Sequence, residues 1–365
     1  MPIRSLVLWP TGACDLDCTY CYRGLLGGRM SPATAHAALD LAAQSGLPFH
    51  VQFAGGEPTL NPAIIEQVCQ RIAAEALPAT VAVQTNAARL TPPVLDLLAR
   101  YRVQVGVSID GPPQVQEQVR GHARETFAGL GLLAAREIPV RVTAVLSAVN
   151  ATRLAELALL LAAYPNVVGL ALDPLVSQGA ARGRDDLLPD PKEVARGITD
   201  LHHAVRQIAR LRTAPFTWRE LETVRRALRP APIPVTVQVR RPADAPDAGA
   251  HPNAVARTPA PYCHAALGQS MAVAPDGTVY PCSQSVGDPA RAAGHVGDVD
   301  WAALQRQFRD VHLTGPCQEC ELQGRCPGDC PSRLEAALDA GLEPGNAHLT
   351  CLIYRTIATC ERTPS

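Results

Sequence analysis

The chain has almost no net charge: 33 Lys and Arg against 34 Asp and Glu leave a formal −1 over 365 residues. Without an excess of basic groups it has no electrostatic footprint for a polyanion, so nucleic acid is not an expected partner. Long hydrophobic runs are also missing. The most apolar stretch, "LAELALLLAAY" at 154–164, is short and interrupted by Glu156, which argues against a membrane span and a membrane partner. No N-terminal stretch combines a basic head, an apolar run and a small-residue cleavage site, so a cytoplasmic location is expected. There is no low-complexity tract and no sustained repeat beyond a strand-helix alternation. What remains is a globular composition, 47% apolar and 18% charged, long enough for two domains with a core each.

Twelve cysteines break this plain picture. Disulfides explain them poorly in a large chain without a secretory signal, and nearly all fall into two tight sets at the two ends, which points to metal ligation. Cys69 and Cys360 lie outside the sets. Cys69 sits in "AIIEQVCQRIAAEAL", an amphipathic helical pattern, and reads as a buried structural thiol.

From residue 3 to about 212, short β-branched runs alternate with Ala/Leu-rich helical stretches. Strands are expected at "SLVLW" (5–9), "FHVQFA" (49–54), "TVAVQT" (80–85), "VQVGVSI" (103–109), "VRVTAVL" (140–146) and "VVGLAL" (167–172). In "SPATAHAALDLAAQSG", Ser31 can cap a helix and Pro32 can occupy its first turn. Six strand-helix units with near-continuous apolar strands predict an α/β fold, a parallel sheet curved into an open, partial (β/α)6 barrel. The eight units of a closed barrel are absent. This core spans 1–228; 229–262, dense in proline with one candidate strand "VTVQV", reads as a linker or insertion; 263–365 forms a small cysteine-rich domain. In that domain "SMAVAPDGTVYPC" predicts a hairpin turning at "PDG", and "WAALQRQFRDV" and "SRLEAALDAG" predict helices.

The stretch "TGACDLDCTYCYRG" at 11–24 puts Cys14, Cys18 and Cys21 on the loop after the first strand, at the carboxyl edge where parallel α/β folds gather their sites. Three thiolates on one short loop suit three corners of a four-iron, four-sulfur cluster, leaving one iron open for substrate or cosubstrate. Zinc is the alternative, but structural zinc takes four closed ligands, usually in CxxC pairs.

"CDLDCTYC" resembles the CxxxCxxC signature of radical S-adenosylmethionine (SAM) enzymes, with Tyr20 at the aromatic position before the last cysteine. The other landmarks of that family follow in order at strand ends. "GGEP", Gly55, Gly56, Glu57 and Pro58, resembles the segment whose backbone meets the amino group of SAM; "SIDG", with Ser108 and Asp110, resembles the segment that meets the ribose. Arg120 in "QVRGH" resembles the arginine that pairs with the SAM carboxylate, for which a guanidinium fork is apt. The resemblance implies that a cluster-bound SAM is cleaved reductively to a 5′-deoxyadenosyl radical, which abstracts hydrogen from substrate.

The C-terminal cysteines read C-x13-G-x4-C, a gap, C-x2-C-x5-C-x3-C, a gap, and C. That pattern resembles the SPASM domain of radical SAM enzymes that modify peptides and proteins. By this resemblance Cys317, Cys320, Cys326 and Cys351 hold a distal auxiliary cluster and Cys263, Cys282 and Cys330 a proximal one, so that the chain carries three 4Fe-4S clusters and SAM. No further cysteine lies between Cys69 and Cys263, so the proximal cluster is expected to be open, with Cys360 and His264 as rival fourth ligands. Sulfatase-maturating members carry an aspartate base after the cysteine matching Cys282. Here that residue is Ser283, too weak an acid-base group to replace it.

The expected function is a radical SAM/SPASM enzyme that forms a carbon-carbon or carbon-sulfur crosslink in a ribosomally made precursor peptide. A reductant such as flavodoxin or ferredoxin would supply electrons. The first strand begins by residue 5, which leaves a leader peptide to dock on the barrel, the linker or a separate recognition protein. A radical SAM dehydrogenase acting on a protein or small molecule is the alternative within the class, and a non-catalytic iron-sulfur or zinc scaffold the alternative outside it.

Overall fold

The computed structural model describes residues 2–23, 26–229, 262–306, 308, 320–323, 325–342 and 348–362. Cys317 and the expected strand in "VTVQV" lie outside the described residues.

Six parallel strands form where the β-branched runs predict them: β1 (Ser5–Leu8), β2 (Phe49–Phe53), β3 (Ala79–Thr85), β4 (Gln104–Ser108), β5 (Val140–Leu146) and β6 (Val167–Pro174). The intervening helices are α1 (Pro32–Ala43), α2 (Pro62–Ala74), α3 (Pro92–Arg100), α4 (Pro113–Val119), α5 (Ala123–Ala135) and α6 (Leu154–Ala162). Four of them open on proline, whose fixed φ and missing N–H suit the first turn. Ser31 caps α1 as its sequence predicts, its Oγ accepting from Thr34 N at 3.1 Å.

The strands are not apolar throughout; they alternate. Leu6, Leu8, Val51, Phe53, Val83, Val105, Val107, Val142 and Ala144 are buried under the helices. The opposite, concave face carries His50, Gln52, Gln84, Gln104, Ser108, Arg141 and Thr143, all partly or fully accessible. Helices cover only one face, so only that face demands apolar residues.

The sheet is larger than six strands. α7 (Pro191–Leu211) leads to β7 (Thr217–Trp218), which pairs parallel with β6, and then to α8 (Arg219–Leu228). At the other edge β8 (Ser270–Val273), from the cysteine-rich region, pairs parallel with β1, and β9 (Val279–Tyr280) returns antiparallel to β8. The order is β7-β6-β5-β4-β3-β2-β1-β8-β9, an unclosed sheet that runs through both halves of the chain. The β8–β9 turn is the predicted "PDG": Gly277 has φ +92°, and Thr278 N donates to the Asp276 carboxylate at 2.9 Å. A two-stranded ribbon, β10 (Gly294–His295) and β11 (Asp298–Val299), precedes α9 (Trp301–Arg306) and α10 (Pro331–Asp339). The last helix, α11 (Leu349–Arg362), packs on α7 and α8, where Glu361 accepts from Arg225 Nε at 2.7 Å and lies 2.7 Å from His202 Nε2.

Candidate active site

Because β1 to β6 are parallel, the loops after them meet at one edge, and the three-cysteine loop is anchored there on every side. Its neck closes through Gly12 N to Gly28 O at 3.2 Å and Met30 N to Pro10 O at 2.8 Å. Gly56 N donates to Thr11 O at 3.1 Å and Glu57 N to Ala13 O at 2.8 Å; Thr19 N reaches Val119 O at 2.9 Å, and Cys21 O accepts from Ala180 N at 2.9 Å. Gly55 and Gly56 are required residues. Gly55 has φ +111° and lies against the Trp9 ring, and a Cβ at Gly56 would run into the Ala13 carbonyl. The two amides after Gly55 are thus committed to the loop, so a contact with an amino group falls to the carbonyl oxygens of this stretch, the chemically matching acceptors.

The Glu57 carboxylate is buried and spent internally. It accepts from Thr59 N (3.1 Å), Thr59 Oγ1 (2.6 Å), Thr85 Oγ1 (2.8 Å) and Asn86 N (2.8 Å). Burial pushes its pKa up, against these hydrogen bonds. Glu57 pins the loops after β2 and β3 together, and Asn86 extends that brace: its Nδ2 donates to Asp15 Oδ1 at 2.7 Å and lies 3.9 Å from Cys14 Sγ.

Tyr20, Asp110 and Arg120 form a second buried group. Arg120 Nε and Nη2 donate to Asp110 Oδ2 and Oδ1 at 2.8 and 3.0 Å, Tyr20 OH donates to Oδ2, Val145 N donates to Oδ1 at 2.8 Å, and the guanidinium stacks 5.4 Å from the Tyr20 ring centroid. The fork that the resemblance assigns to a SAM carboxylate therefore faces Asp110, because Asp110 is itself buried and needs a counter-charge. Ser108 Oγ accepts from Gln84 Nε2 at 2.9 Å. Asn150 and Gln116, fully buried and not singled out by the motifs, hold the "SIDG" backbone: Asn150 Nδ2 donates to Asp110 O at 2.9 Å, and Gln116 Oε1 accepts from Asp110 N at 2.9 Å.

The second cysteine set comes against this edge. β8 on β1 brings Ser283 beneath the first loop, where Trp9 Nε1 donates to its Oγ at 3.0 Å and Tyr22 OH lies 3.2 Å away. Cys263, Cys282 and Cys330 are close enough to feel one another's charge. Cys282 Sγ is 3.3 Å from Ser285 Oγ, and Cys330 Sγ is 3.7 Å from Gln284 Oε1. Asp329 ties Cys330 to the helix bearing Cys351: its Oδ1 accepts from Cys330 N at 2.7 Å and Thr350 Oγ1 at 2.6 Å, and buried Arg333 pairs with it. The two rival fourth ligands point elsewhere: Cys360 Sγ lies 3.8 Å from Thr199 Oγ1 on α7, and His264 Nδ1 lies 3.4 Å from Gln269 Oε1. Cys69 is buried in α2, as expected.

Asp173, which no motif marks, stands between the two sets. It lies one residue before the end of β6, on the concave face, with 48% of its side chain exposed; it pairs with Arg219 Nη2 at 2.7 Å, and its charge reaches Tyr22 and Tyr262.

The donor chemistry suits iron-sulfur clusters. None of the described cysteines forms a disulfide. Burial pushes the Cys18 thiol up to about 11 and the Cys330 thiol up to about 12, so the bare thiols stay protonated at neutral pH and need a bound cation to become thiolates. Among the described residues no three His, Cys, Asp or Glu side chains stand ready-formed around one metal ion. A cubane spreads its irons and does not require that.

An unclosed parallel α/β sheet with a three-cysteine loop at its carboxyl edge defines a class of protein, and residues 10–161 match the model of that class, the Radical SAM superfamily. That stretch of the chain is a radical SAM domain. An uncharacterised protein of Methanocaldococcus jannaschii is 28% identical over 171 residues, 44% of this chain and 59% of that relative, so the match spans less than two thirds of the relative's length. Among solved structures, anSMEcpe with bound AdoMet and the Cp18Cys peptide superposes with a TM-score of 0.72 at 18% identity, over 98% of this chain and 96% of that one. Streptococcus suis SuiB bound to precursor peptide SuiA gives 0.60 at 16% identity, over 92% and 73%. At such identities the shared property is the fold, over 98% of this chain for anSMEcpe and so including its cysteine-rich C-terminal region. Among the described residues no helix is long and apolar enough to cross a membrane.

Proposed function

We propose that the chain is a radical SAM/SPASM enzyme that abstracts hydrogen from a ribosomally made precursor peptide and closes a carbon-carbon or carbon-sulfur crosslink. Its radical SAM core spans 1–228 and its auxiliary unit 263–365. The observation that carries this reading is the meeting of two cysteine sets at one sheet edge, with Ser283 of the second against Trp9 and Tyr22 of the first. The peptides held by anSMEcpe and SuiB support a peptide substrate.

Cys14, Cys18 and Cys21 would hold the SAM-binding cluster, Cys263, Cys282 and Cys330 the proximal one, and Cys317, Cys320, Cys326 and Cys351 the distal one. When bound, these groups supply the electron that cleaves SAM to a 5′-deoxyadenosyl radical and accept the electron left on substrate. The chain's own residues do the rest. The hydrogen-bonded neck fixes the loop, the Glu57 and Asp110 anchors hold it at a set height above the strands, and Trp9, Tyr22 and Ser283 wall the gap from water. A flavodoxin or ferredoxin in the cytoplasm is the proposed reductant, and a leader peptide would dock on the barrel or on a separate protein.

Radical dehydrogenation is the second reading, and Asp173 favours it: a half-exposed carboxylate stands between the two sets where Ser283 is no base. The test is anaerobic reconstitution followed by SAM and dithionite, with chromatography for 5′-deoxyadenosine and mass spectrometry of candidate peptides from short open reading frames sought beside the gene. No 5′-deoxyadenosine from iron-replete protein would sink both readings. A hydrogen loss without a new linkage in the fragment spectra would select dehydrogenation.

A further inference from the structure

Five strands carry one transverse row on the concave face. Gln84, Gly106, Arg141, Gly169 and Thr217 are paired in register across β3 to β7, so Arg141 stands between two glycines. Glycine in a strand interior costs stability and marks places where something must come close. At Gly169 the reason is Arg141 itself: a Cβ there would lie 2.8 Å from Arg141 Nη1 and 2.7 Å from Thr217 Oγ1. At Gly106 a Cβ would run into the Gln84 amide. The glycines clear a floor on which long polar side chains lie flat. Arg141 Nη1 donates to Thr217 Oγ1 at 3.1 Å, and among the described residues no carboxylate pairs with it. Two of the basic side chains that share its cavity are compensated: Arg136 pairs with Asp96, and Arg219 with Asp173 and Glu220.

Gln84, Gly106 and Arg141 of this row line a cavity of about 1060 Å³, together with His50, Gln52 and Thr143 and, at the turns before β4 and β5, Arg102 and Glu137. That volume is at the top of the range for small-ligand pockets and takes several peptide residues. We infer that Arg141 and its glycine-cleared row form a carboxylate-binding site, whose occupant is an aspartate- or glutamate-bearing segment of a peptide. A planar guanidinium fork with one edge held by Thr217 offers the other to a carboxylate. The amide and hydroxyl groups of Gln52, Gln84 and Thr143 match the donors and acceptors of a peptide backbone. The inference rests on the reading that the substrate is a peptide, and it adds a register. Gly169 and Asp173 are four residues apart on β6, roughly 13 Å at strand rise. An extended peptide along that face would carry its acidic residue about four positions from the residue shown to the cysteine edge.

The test uses full-length, reconstituted protein without SAM and a fluorescein-labelled hexaglutamate peptide followed by anisotropy. Hexaglutamate is expected to bind, and Arg141→Gln to weaken it about tenfold at an unchanged melting midpoint, as loss of a charged hydrogen bond would. Arg141→Lys should fall between the two. The proposal is overturned if Arg141→Gln binds hexaglutamate as the wild type does, if hexalysine binds equally well, or if inorganic phosphate displaces hexaglutamate as effectively as unlabelled peptide. Binding is read without SAM or turnover, so its failure leaves the radical SAM reading standing, and a protein that cannot cleave SAM can still pass this test.

Discussion

Asp110 holds Arg120 through two parallel hydrogen bonds, and solvent reaches 10% of the arginine side chain and none of the aspartate. Arg120→Ala should therefore act first on stability, because it strands a buried carboxylate. The expected loss is about 3–5 kcal/mol in urea unfolding. If the remaining guanidinium nitrogen also meets SAM, affinity for SAM should fall by about one to two decades with iron content intact. Loss of stability with unchanged SAM affinity would make Arg120 a positioning residue.

Replacing Cys14, Cys18 and Cys21 together by Ala should remove one cluster's worth of iron and all 5′-deoxyadenosine formation. The auxiliary cysteines hang on separate elements braced by Asp329, so their spectra should persist. Undiminished SAM cleavage in the triple variant would defeat the assignment.

Cys360→Ala and His264→Ala should each leave the auxiliary-cluster spectra unaltered. Cys360 lies nine residues beyond Cys351 on α11, about half a turn out of phase at 3.6 residues per turn. It faces Thr199, and His264 faces Gln269. An exogenous thiol or the peptide should then perturb the proximal cluster. A spectrum indifferent to both, yet changed by Cys360→Ala, would show a closed cluster.

Glu361 gives the C-terminal helix an acid limit. Its hydrogen bond from Arg225 holds the carboxyl below the usual range, His202 adds to this, and partial burial opposes both. A depressed folded pKa stabilises above the unfolded carboxylate range, and that contribution is lost as pH falls through the folded value. Docking of α11 on α7 and α8 should thus loosen below about pH 4, visible as faster amide exchange in 349–362. Glu361→Gln should flatten that acid limb, and an unchanged pH profile would refute the linkage.

The sequence by itself determined what local spacing can carry. Three cysteines within eight residues must share a loop, Ser31 before Pro32 must start a helix, "PDG" must turn a hairpin, and six β-branched runs alternating with helices must make a parallel sheet. Those features depend on neighbours a few residues apart, and they placed the cysteine loop at the right edge. The strands' second face is polar rather than apolar as their overall composition predicts, because helices cover only one side of the sheet, and "FHVQF" accordingly buries Phe49, Val51 and Phe53 but not His50 and Gln52. Only the tertiary structure decided that β8 would join β1, that Trp9 would find Ser283 some 274 positions away, and that Asp110 would claim the Arg120 fork. It alone set Arg141 between Gly106 and Gly169. Each of these is a pairing between distant segments, fixed by the register of the sheet and by the need of a buried charge for a partner. Neither cause is visible until the chain has folded.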